Sequence, residues 1–445
     1  MTHTRTAAVY TLGCKVNQYE SEAISEALQK NGVAICDFSV RCDCYVINTC
    51  AVTAESVRKA RQIIRRAKKT NPGAYVLVTG CAAQLDAASI AALGVDYVCG
   101  TRNKMSVVLR ALNLMEAGAA PGLHPVISVA EAEGELEPMR ISHFERTRAY
   151  VKIQDGCNAH CAYCIIPKVR GDVTSRPRED VVSEVRQLAA GGCPEVVLTG
   201  IETSAYAYDL PLLLSELEEA EGLERIRLGS LDPSFMRPDF VDRIARLRKS
   251  VPHFHLSVQA GCDRTLARMR RRYNCGMMRR NIAYMRERMP QVLLSADIIT
   301  GFPGENEADF EDTLRFAEEI GFLHIHIFTY SVRPGTEAAE MPEQVPEPVK
   351  IQRSHRLAEV DRKSRTAILH AAIRCGQPLS VLVETEEDGY LCGHTPNFME
   401  VRFRAGEGEY AALHGRIVSV LPLCAEEDCI TGAMQPAKDE DGAKG

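Results

Sequence analysis

Three cysteines fall within eight consecutive residues, in the stretch DGCNAHCAYCIIPKVRG that begins at Asp155. They are Cys157, Cys161 and Cys164, and they follow a predicted strand, RAYVKIQ. Thiolates are the ligands that iron–sulfur clusters prefer, and this spacing lets three of them reach three corners of one 4Fe-4S cube. The fourth iron then stays open to a small molecule. The spacing therefore favours a cluster that takes part in chemistry over one that only stores electrons.

A structural zinc site is the main alternative for these cysteines. Such sites usually complete four protein ligands, often as paired Cys-x2-Cys units. His160 is the nearby candidate for a fourth ligand, but it lies between two of the cysteines, where its geometry for joining them is poor. Buried free thiols are a further alternative. The missing fourth ligand makes the open iron–sulfur cluster the leading interpretation.

A second set of cysteines follows the strands predicted in the N-terminal region. The strands TAAVYTLG, CYVINTCAV and AYVLVTGCAAQ carry Cys14, Cys50 and Cys81 at or just beyond their ends. Helical segments separate these strands, so a parallel sheet is expected. Ligands collect at the carboxyl ends of strands in such sheets, and the three cysteines are expected to converge there. Each of them, taken singly, is also typical of a small buried side chain.

The order of the predicted elements divides the chain into regions. Residues 1–115 are predicted to form a small parallel α/β domain, and the acidic residues 116–146, broken by proline and glycine, a linker. Six strand–helix units in residues 147–370 predict a partial (β/α)6 barrel with its chemistry at the carboxyl ends of the strands. Short strands without helices in residues 376–434 predict an all-β barrel of the oligonucleotide-binding kind. Residues 435–445 are expected to be disordered.

The bulk composition limits the class of protein. The N-terminus lacks the apolar core of a signal peptide, and no apolar run is long enough to span a bilayer, so a cytoplasmic location without a membrane partner is expected. Seventeen cysteines in such a chain favour metal or redox chemistry over disulfides. The net charge of −6 excludes an overall basic field, so any surface for nucleic acid must be local.

Local clusters of basic residues exist in spite of the acidic total. The segments SVRKARQIIRRAKK and RTLARMRRRY concentrate arginine and lysine, which suits contacts to phosphates. A solvated helix face is the alternative for each cluster. The arginines predicted to contact RNA are Arg58, Arg61, Arg65, Arg270, Arg271 and Arg402.

The segment CNAHCAYC resembles the signature of the radical S-adenosylmethionine (radical SAM) enzymes, Cys-x3-Cys-x-aromatic-Cys, with Tyr163 as the aromatic residue. The resemblance implies that Cys157, Cys161 and Cys164 hold a catalytic 4Fe-4S cluster. The methionine amino and carboxylate groups of SAM bind its open iron in that family, and the reduced cluster splits the sulfonium to give a 5′-deoxyadenosyl radical. The barrel predicted from the strand pattern is the fold of the family.

The segments TLGCKVNQYE, INTCAVTAESVRKARQ and VTGCAAQ resemble the three cysteine motifs of the methylthiotransferase N-terminal domain. That resemblance implies a second 4Fe-4S cluster on Cys14, Cys50 and Cys81, whose role is to deliver sulfur that is methylated and then inserted into a carbon–hydrogen bond. Further segments match in the order of the family, among them LTGIETSAY, HLSVQAGCDRTLARMRRRY and DIITGFPGE. The C-terminal region resembles the TRAM module of the same proteins.

The residues expected to bind SAM also follow from the resemblance. Thr199, Gly200 and Glu202 are expected near the methionine end of the cofactor, and Ser257, Gln259 and Asp297 near its adenosyl part, with Tyr163 beside the cluster. A polar side chain that faces into a barrel needs a partner, which cofactor hydroxyl and amino groups would supply. Ordinary hydrogen bonding at strand ends is the alternative for each of these residues.

The form TLGCKVNQYE most resembles the branch of the family that methylthiolates adenine C2 of N6-threonylcarbamoyladenosine beside the tRNA anticodon. Related branches act on N6-isopentenyladenosine or on an aspartate of a ribosomal protein. A non-catalytic iron–sulfur electron carrier or RNA-binding sensor is the alternative of another class. The implied partners are tRNA and an electron donor of the reductase or flavodoxin type; the sulfur donor stays open. The interpretation requires both cysteine triads to face one cavity.

Overall fold

The structure is a computed structural model that describes residues 4–118, 120–122, 125–131, 134–144, 146–404, 406 and 408–435. The C-terminal residues predicted to be disordered lie outside this description from residue 436 onward. Among the described residues, no helix is both long and apolar enough to cross a membrane.

The N-terminal region is a six-stranded parallel sheet with the strand order β2-β1-β3-β4-β5-β6. Its strands are β1 (Thr6–Thr11), β2 (Ala34–Ile35), β3 (Cys44–Thr49), β4 (Tyr75–Gly80), β5 (Tyr97–Cys99) and β6 (Val126–Ser128). Its helices are α1 (Lys15–Lys30), α2 (Ala54–Thr70), α3 (Cys81–Leu85), α4 (Ala87–Ala91) and α5 (Ser106–Ala117). Separate apolar cores lie on the two faces of the sheet, as both faces of a parallel sheet require.

The segment predicted as a linker belongs partly to this sheet. Strand β6 pairs with β5 inside residues 116–146, and Met139 and Ile141 are buried in the core of the following barrel. Strands of two or three residues, such as β2, β5 and β6, carry too little periodicity to be recognised from sequence. The N-terminal sheet therefore has more strands than the sequence predicted.

The central region holds six parallel strands in two half-sheets, β11-β10-β7 and β12-β13-β14. These six strands are β7 (Arg148–Lys152), β10 (Glu195–Thr199), β11 (Arg225–Leu228), β12 (His253–Gln259), β13 (Leu293–Thr300) and β14 (His324–Thr329). Two further short strands, β8 (Gln154–Asp155) and β9 (Thr174–Ser175), form a separate antiparallel pair. Its helices are α6 (Ile166–Arg170), α7 (Arg178–Ala190), α8 (Leu210–Glu218), α9 (Pro238–Ile244), α10 (Asp263–Arg268), α11 (Cys275–Arg288), α12 (Glu307–Ile320), α13 (Glu337–Glu340) and α14 (Glu347–Cys375).

The two half-sheets meet where Leu231, just beyond β11, exchanges backbone hydrogen bonds with β12. The Leu231 N–H donates to the His255 carbonyl at 2.9 Å, and the Ser257 N–H donates to the Leu231 carbonyl at 2.9 Å. The apolar face predicted for α7 is buried against the strands, as the periodicity indicated. The partial barrel predicted from six strand–helix units is confirmed.

The C-terminal region is a closed barrel with the strand order β15-β16-β17-β19-β18. Its strands are β15 (Leu379–Glu387), β16 (Tyr390–His394), β17 (Glu400–Arg404), β18 (Ile417–Ala425) and β19 (Ile430–Met434). The short helix α15 (Glu409–Leu413) precedes β18, so the prediction of a region without helices was wrong. A single turn of helix between strands leaves little periodic signal in the sequence. The closed barrel itself was predicted correctly and is consistent with a TRAM-like domain.

A buried carboxylate joins the strands at the amino-terminal end of the central barrel. Glu195 lies 2.9 Å from Arg148 Nε and 3.1 Å from Arg227 Nε, and its side chain is fully buried. Arg148 also contacts Glu384 of the C-terminal barrel, and Arg227 donates to the Pro396 carbonyl at 3.1 Å. This charged group therefore fixes the C-terminal barrel to the floor of the central one.

The unfolding free energy is expected to fall in acid because of Glu195. Burial alone would raise the pKa of this carboxyl, but Arg227 and Arg148 lower it to about 2, against an ordinary 4.5. The ionised Glu195 therefore stabilises the folded chain by about 3 kcal/mol above the ordinary pKa, and this stabilisation is lost as the pH falls through the pKa of the folded state. Urea unfolding of the metal-free chain between pH 5 and 3 measures how the unfolding free energy depends on pH. Glu195→Gln should weaken this pH dependence. Glu319→Gln, which removes an exposed ion pair, should leave it unchanged.

Candidate active site

A cavity of about 420 Å³ lies between the N-terminal sheet and the mouth of the central barrel. Two sets of cysteines line it. The N-terminal triad is Cys14, Cys50 and Cys81, and the barrel triad is Cys157, Cys161 and Cys164. The structure thus brings together all six cysteines that the sequence singled out, and both triads face one space.

Each cysteine of the N-terminal triad lies where a strand passes into a helix or loop. Cys14 is the N-cap of α1, Cys50 follows β3 directly, and Cys81 is the first residue of α3. Gly13 has a φ of 103°, and a Cβ atom there would lie 2.8 Å from the Cβ of Cys50. Glycine is required for both the backbone conformation and the space, and it allows the first two cysteines to approach each other.

The start of α1 also prepares the site for negative charge. Among the described residues, no side chain caps the first turn of this helix, whose N-cap is Cys14. The free N–H groups and the helix dipole give this end of α1 a partial positive charge. Asn17 in the first turn donates from Nδ2 to the carbonyls of Leu12 at 2.7 Å and Thr49 at 3.0 Å. These bonds hold the ends of β1 and β3 against the helix.

The barrel triad lies on the loop between β8 and α6. The Cys157 N–H donates to the Gly171 carbonyl at 3.1 Å, and the Ala162 N–H donates to the Met269 carbonyl at 3.1 Å. Gly156, with φ at 73°, turns the chain into the loop so closely to Asp172 that a side chain would clash with its backbone. Backbone contacts on both sides thus fix a loop that has little regular structure of its own.

The donor set fits two iron–sulfur cubes better than zinc. Among the described residues, no three side chains of His, Cys, Asp or Glu lie close enough together to share one metal ion. The ligands of a cube bind different iron atoms and need not converge on one point. Six thiols in two sets of three around one cavity therefore match the cluster interpretation of the sequence.

Burial raises the pKa of three of these thiols. It raises the pKa of Cys50 to about 11 and that of Cys164 to about 12, and it also raises the pKa of Cys157. Thiolates are the ligating form, so iron must displace protons from these groups when it binds. Loading of the site is therefore expected to be favoured by alkaline conditions.

One cysteine of each triad accepts a hydrogen bond from a buried arginine. Arg170 Nε donates to Cys81 Sγ at 3.3 Å, and Arg271 Nη1 donates to Cys161 Sγ at 3.1 Å. Hydrogen bonds to ligand sulfur and nearby positive charge raise the reduction potential of an iron–sulfur cluster. Arg170 was not predicted from the sequence, because no local pattern marks an arginine at the end of a five-residue helix as buried.

The prediction that Arg271 contacts RNA on the surface was wrong. Its side chain is only 6% exposed, and it pairs with Asp232 at 3.1 Å inside the cavity. Helix α10 ends at Arg268, and Arg270 has a φ of 59°, so the chain reverses there and the next arginine enters the cavity. Adjacent arginines in one basic run thus face opposite environments.

Six of the residues predicted to bind SAM line the cavity: Tyr163, Gly200, Glu202, Ser257, Gln259 and Asp297. Thr199 is instead buried at the end of β10, where its carbonyl accepts from the Ile153 N–H at 2.9 Å. Burial raises the pKa of Glu202, so this carboxyl favours a hydrogen-bonding or positively charged partner in the cavity. Gly200 lies so close to Gln154 that a Cβ atom would be 2.6 Å from its Oε1.

Comparison with known proteins places both halves of the site in recognised families. Residues 151–317 match the radical SAM superfamily, and residues 6–100 match a family described as uncharacterized protein family UPF0004. The chain is 39% identical over 433 residues to threonylcarbamoyladenosine tRNA methylthiotransferase MtaB of Bacillus subtilis, with 94% of each chain covered. It is 36% identical to the protein of the same name from Aquifex aeolicus, covering 93% of this chain and 99% of that one.

The chain belongs to the radical SAM tRNA methylthiotransferase family. A tRNA-2-methylthio-N(6)-dimethylallyladenosine synthase of Bordetella avium is 34% identical, with 97% of this chain and 93% of that one covered. The radical SAM methyltransferase TsrM of Kitasatospora setae has a TM-score of 0.56 at 16% identity, covering 76% of this chain and 77% of that one, a likeness that shows the fold alone. Membership of this family makes the chain an enzyme whose cofactors are SAM and two 4Fe-4S clusters.

The remaining predicted RNA contacts lie on the surface of the methylthiotransferase. Arg58 and Arg65 are exposed on α2 and Arg61 is half-buried there; this helix begins beside the cavity, whose lining includes Thr53. Intramolecular ion pairs already engage three of these arginines: Arg58 with Glu55, Arg270 with Glu337 and Arg402 with Glu426. The basic helix α2 thus presents charge at the rim of the site.

Proposed function

We propose that the enzyme inserts a methylthio group at adenine C2 of N6-threonylcarbamoyladenosine beside the tRNA anticodon. The observation that carries the proposal is the single cavity lined by both cysteine triads. A reaction that joins a radical at one cluster to sulfur at the other needs the two within reach of one substrate atom. The relatives named for threonylcarbamoyladenosine, at 36–39% identity in Bacillus and Aquifex, support this substrate over the dimethylallyl one.

The barrel triad would hold the SAM-binding cluster and the N-terminal triad the sulfur-delivering one. Bound together, the first cluster and SAM supply a carbon radical that removes hydrogen from an unactivated C–H bond, which acid–base groups cannot do. Six polar or aromatic residues would position SAM: Tyr163, Gly200, Glu202, Ser257, Gln259 and Asp297. Apolar side chains of Val52, Ile201, Ile299 and Phe328 line the same cavity and would exclude water from a reactive radical.

Three arginines of α2 would bind phosphates of the anticodon stem and guide the base into the cavity. Arg58, Arg61 and Arg65 lie on successive turns of the helix, and their charge is local in an otherwise acidic chain. A reductase or flavodoxin-type electron donor would supply the electron that each SAM cleavage consumes. We propose a cytoplasmic location for the enzyme.

Mass spectrometry of tRNA nucleosides from a deletion strain tests the substrate directly. The expected result is loss of 2-methylthio-threonylcarbamoyladenosine with accumulation of threonylcarbamoyladenosine. Expression of the wild-type chain should restore the methylthio nucleoside, and expression of Cys157→Ala should not. Loss of the methylthio-isopentenyl nucleoside instead would assign the chain to the other branch. An unchanged pattern of both nucleosides would overturn the tRNA proposal.

A further inference from the structure

A second cavity, of about 440 Å³, lies deeper in the central barrel and reaches the C-terminal barrel. Its lining includes Lys15, Arg227, His253, His255, His326 and Phe398. The two cavities adjoin at Asp297, which lines the cysteine cavity and lies 3.1 Å from His255 Nε2. A group attached to a base in the upper cavity therefore has a polar space directly beneath it.

Lys15 connects the two spaces. It follows Cys14 in the chain, so its backbone lies at the cysteine cavity while its side chain lines the lower one. The side chain is solvent-accessible there, and among the described residues it has no ion-pair partner. Burial and the guanidinium groups of Arg227 and Arg148 disfavour its positive charge, whereas Asp297 and Cys14 favour it. The local field therefore favours an added negative charge.

The other cations of the lower cavity are already neutralised. Arg227 pairs with Glu195 at 3.1 Å, and Arg365 pairs with Asp361 at 2.6 Å. Burial lowers the pKa of His326 to about 4, so this ring is neutral at pH 7 and acts as a hydrogen-bonding group. Within the described part of the chain, Lys15 is thus the cation of this cavity that lacks a carboxylate.

We propose that Lys15 binds the carboxylate of the threonylcarbamoyl side chain and so selects this adenosine over the dimethylallyl one. The inference rests on the proposed function. The threonylcarbamoyl group ends in a carboxylate and a hydroxyl, whereas the dimethylallyl group ends in methyl groups. A carboxylate would give the Lys15 ammonium its missing partner, and His255 and His326 offer hydrogen bonds to the hydroxyl and carbamoyl groups. The apolar dimethylallyl group would instead displace water from that ammonium without offering it a hydrogen-bond partner.

The experiment uses three anticodon stem-loop RNAs that differ only at the modified adenosine. One carries threonylcarbamoyladenosine, the second the primary amide of its carboxylate, and the third the dimethylallyl group. Fluorescence anisotropy measures the Kd of each RNA for the reconstituted wild-type enzyme, Lys15→Gln and Lys15→Arg, and product formation gives kcat/KM. Iron content and the electron paramagnetic resonance signals of both clusters are recorded for each variant, because Lys15 adjoins a cysteine.

Wild type is expected to prefer the acid to the amide by about ten- to a hundred-fold, the usual value of a charged hydrogen bond. Lys15→Gln should reduce this preference to about two-fold or less, and Lys15→Arg should retain most of it. Equal preference for acid over amide in wild type and Lys15→Gln would overturn the inference. If Lys15→Gln loses iron, equal binding of acid and amide by wild type alone would still overturn it. Absence of product from the threonylcarbamoyl RNA in wild type would instead refute the proposed function.

Discussion

Cys157→Ala is expected to abolish cleavage of SAM to 5′-deoxyadenosine, whereas Cys50→Ala is expected to retain this cleavage and lose methylthiolation. The two triads lie on separate structural elements, one on the loop after β8 and the other at the ends of N-terminal strands. Removing one thiolate from a set of three leaves a cube with only two protein ligands. Each substitution should therefore impair only the cluster bound by the triad that loses its cysteine.

Iron analysis and activity together check this prediction. The reconstituted wild type should hold about eight iron atoms per chain, and each variant about four, on the basis of two cubes. In the presence of reductant, 5′-deoxyadenosine should fall to the uncatalysed level only in Cys157→Ala. Methylthio product should be lost in both variants. The two losses thus separate the cluster that makes the radical from the one that supplies sulfur.

Cys44→Ala is the matched control. Cys44 is fully buried at the opposite end of β3 from Cys50, and it does not line the cavity. Its replacement should lower the unfolding free energy modestly and leave iron content and both activities unchanged. Cleavage of SAM by Cys157→Ala would contradict the assignment of the barrel triad. Loss of cleavage in Cys50→Ala at full occupancy of the barrel cluster would contradict the division of roles.

Elements with a long periodic pattern were predictable from the sequence, and so were the cysteines at their ends. The strands before Cys14, Cys50 and Cys81 are strongly apolar, and parallel topology then places the residues that follow them at one edge. The approach of this edge to the mouth of the barrel does not follow from any local pattern. It depends on packing between α1, the segment around Met139 and α7, where the Tyr19 hydroxyl donates to the Met139 carbonyl at 2.6 Å.

The charged residues of the interior were not predictable, because a charged side chain in the sequence indicates the surface unless its partners are known. The two cavities are lined in part by three such residues, Lys15, Arg170 and Arg271. The carboxylates that pair with the two arginines come from distant parts of the chain, and among the described residues Lys15 has no such partner. Arg170, for example, meets Glu20, which lies 150 residues away in the chain. Such groups become visible only when the tertiary structure brings the partners together.

Arg170→Met is expected to destabilise the fold by about 3–5 kcal/mol, the usual cost of removing one partner from a buried ion pair. The Arg170 side chain is inaccessible to solvent. It lies 2.9 Å from Asp155 and 3.3 Å from Glu20, and it donates to Asn17 Oδ1 at 2.5 Å. Two N-terminal residues and one barrel residue thus meet at a single guanidinium, so its loss should weaken the contact between the domains as well.

The remaining charges of the group would not replace the hydrogen bonds that Arg170 donates. Burial alone would raise the pKa of Glu20, but Lys104, Lys152 and Arg170 together hold it well below its ordinary value. Without the guanidinium, Lys104 remains paired with Glu20, and Lys152 contacts Glu20 at 2.7 Å and Asp155 at 2.6 Å. Asp155 and the side-chain oxygen of Asn17 nevertheless lose a hydrogen-bond donor in a site without water access, and this is the source of the expected cost.

Urea unfolding of the metal-free chain, followed by circular dichroism, measures the effect without interference from iron. Arg140→Gln is the control, because Arg140 pairs with Asp180 in an exposed position where such pairs contribute less than about 1 kcal/mol. Arg170→Met should also lower the iron retained by the N-terminal triad, since the arginine donates to Cys81 Sγ. A midpoint for Arg170→Met no lower than that for Arg140→Gln would show that the buried charges do not stabilise the domain contact. The cavity between the two triads would then have to be held open by apolar packing alone.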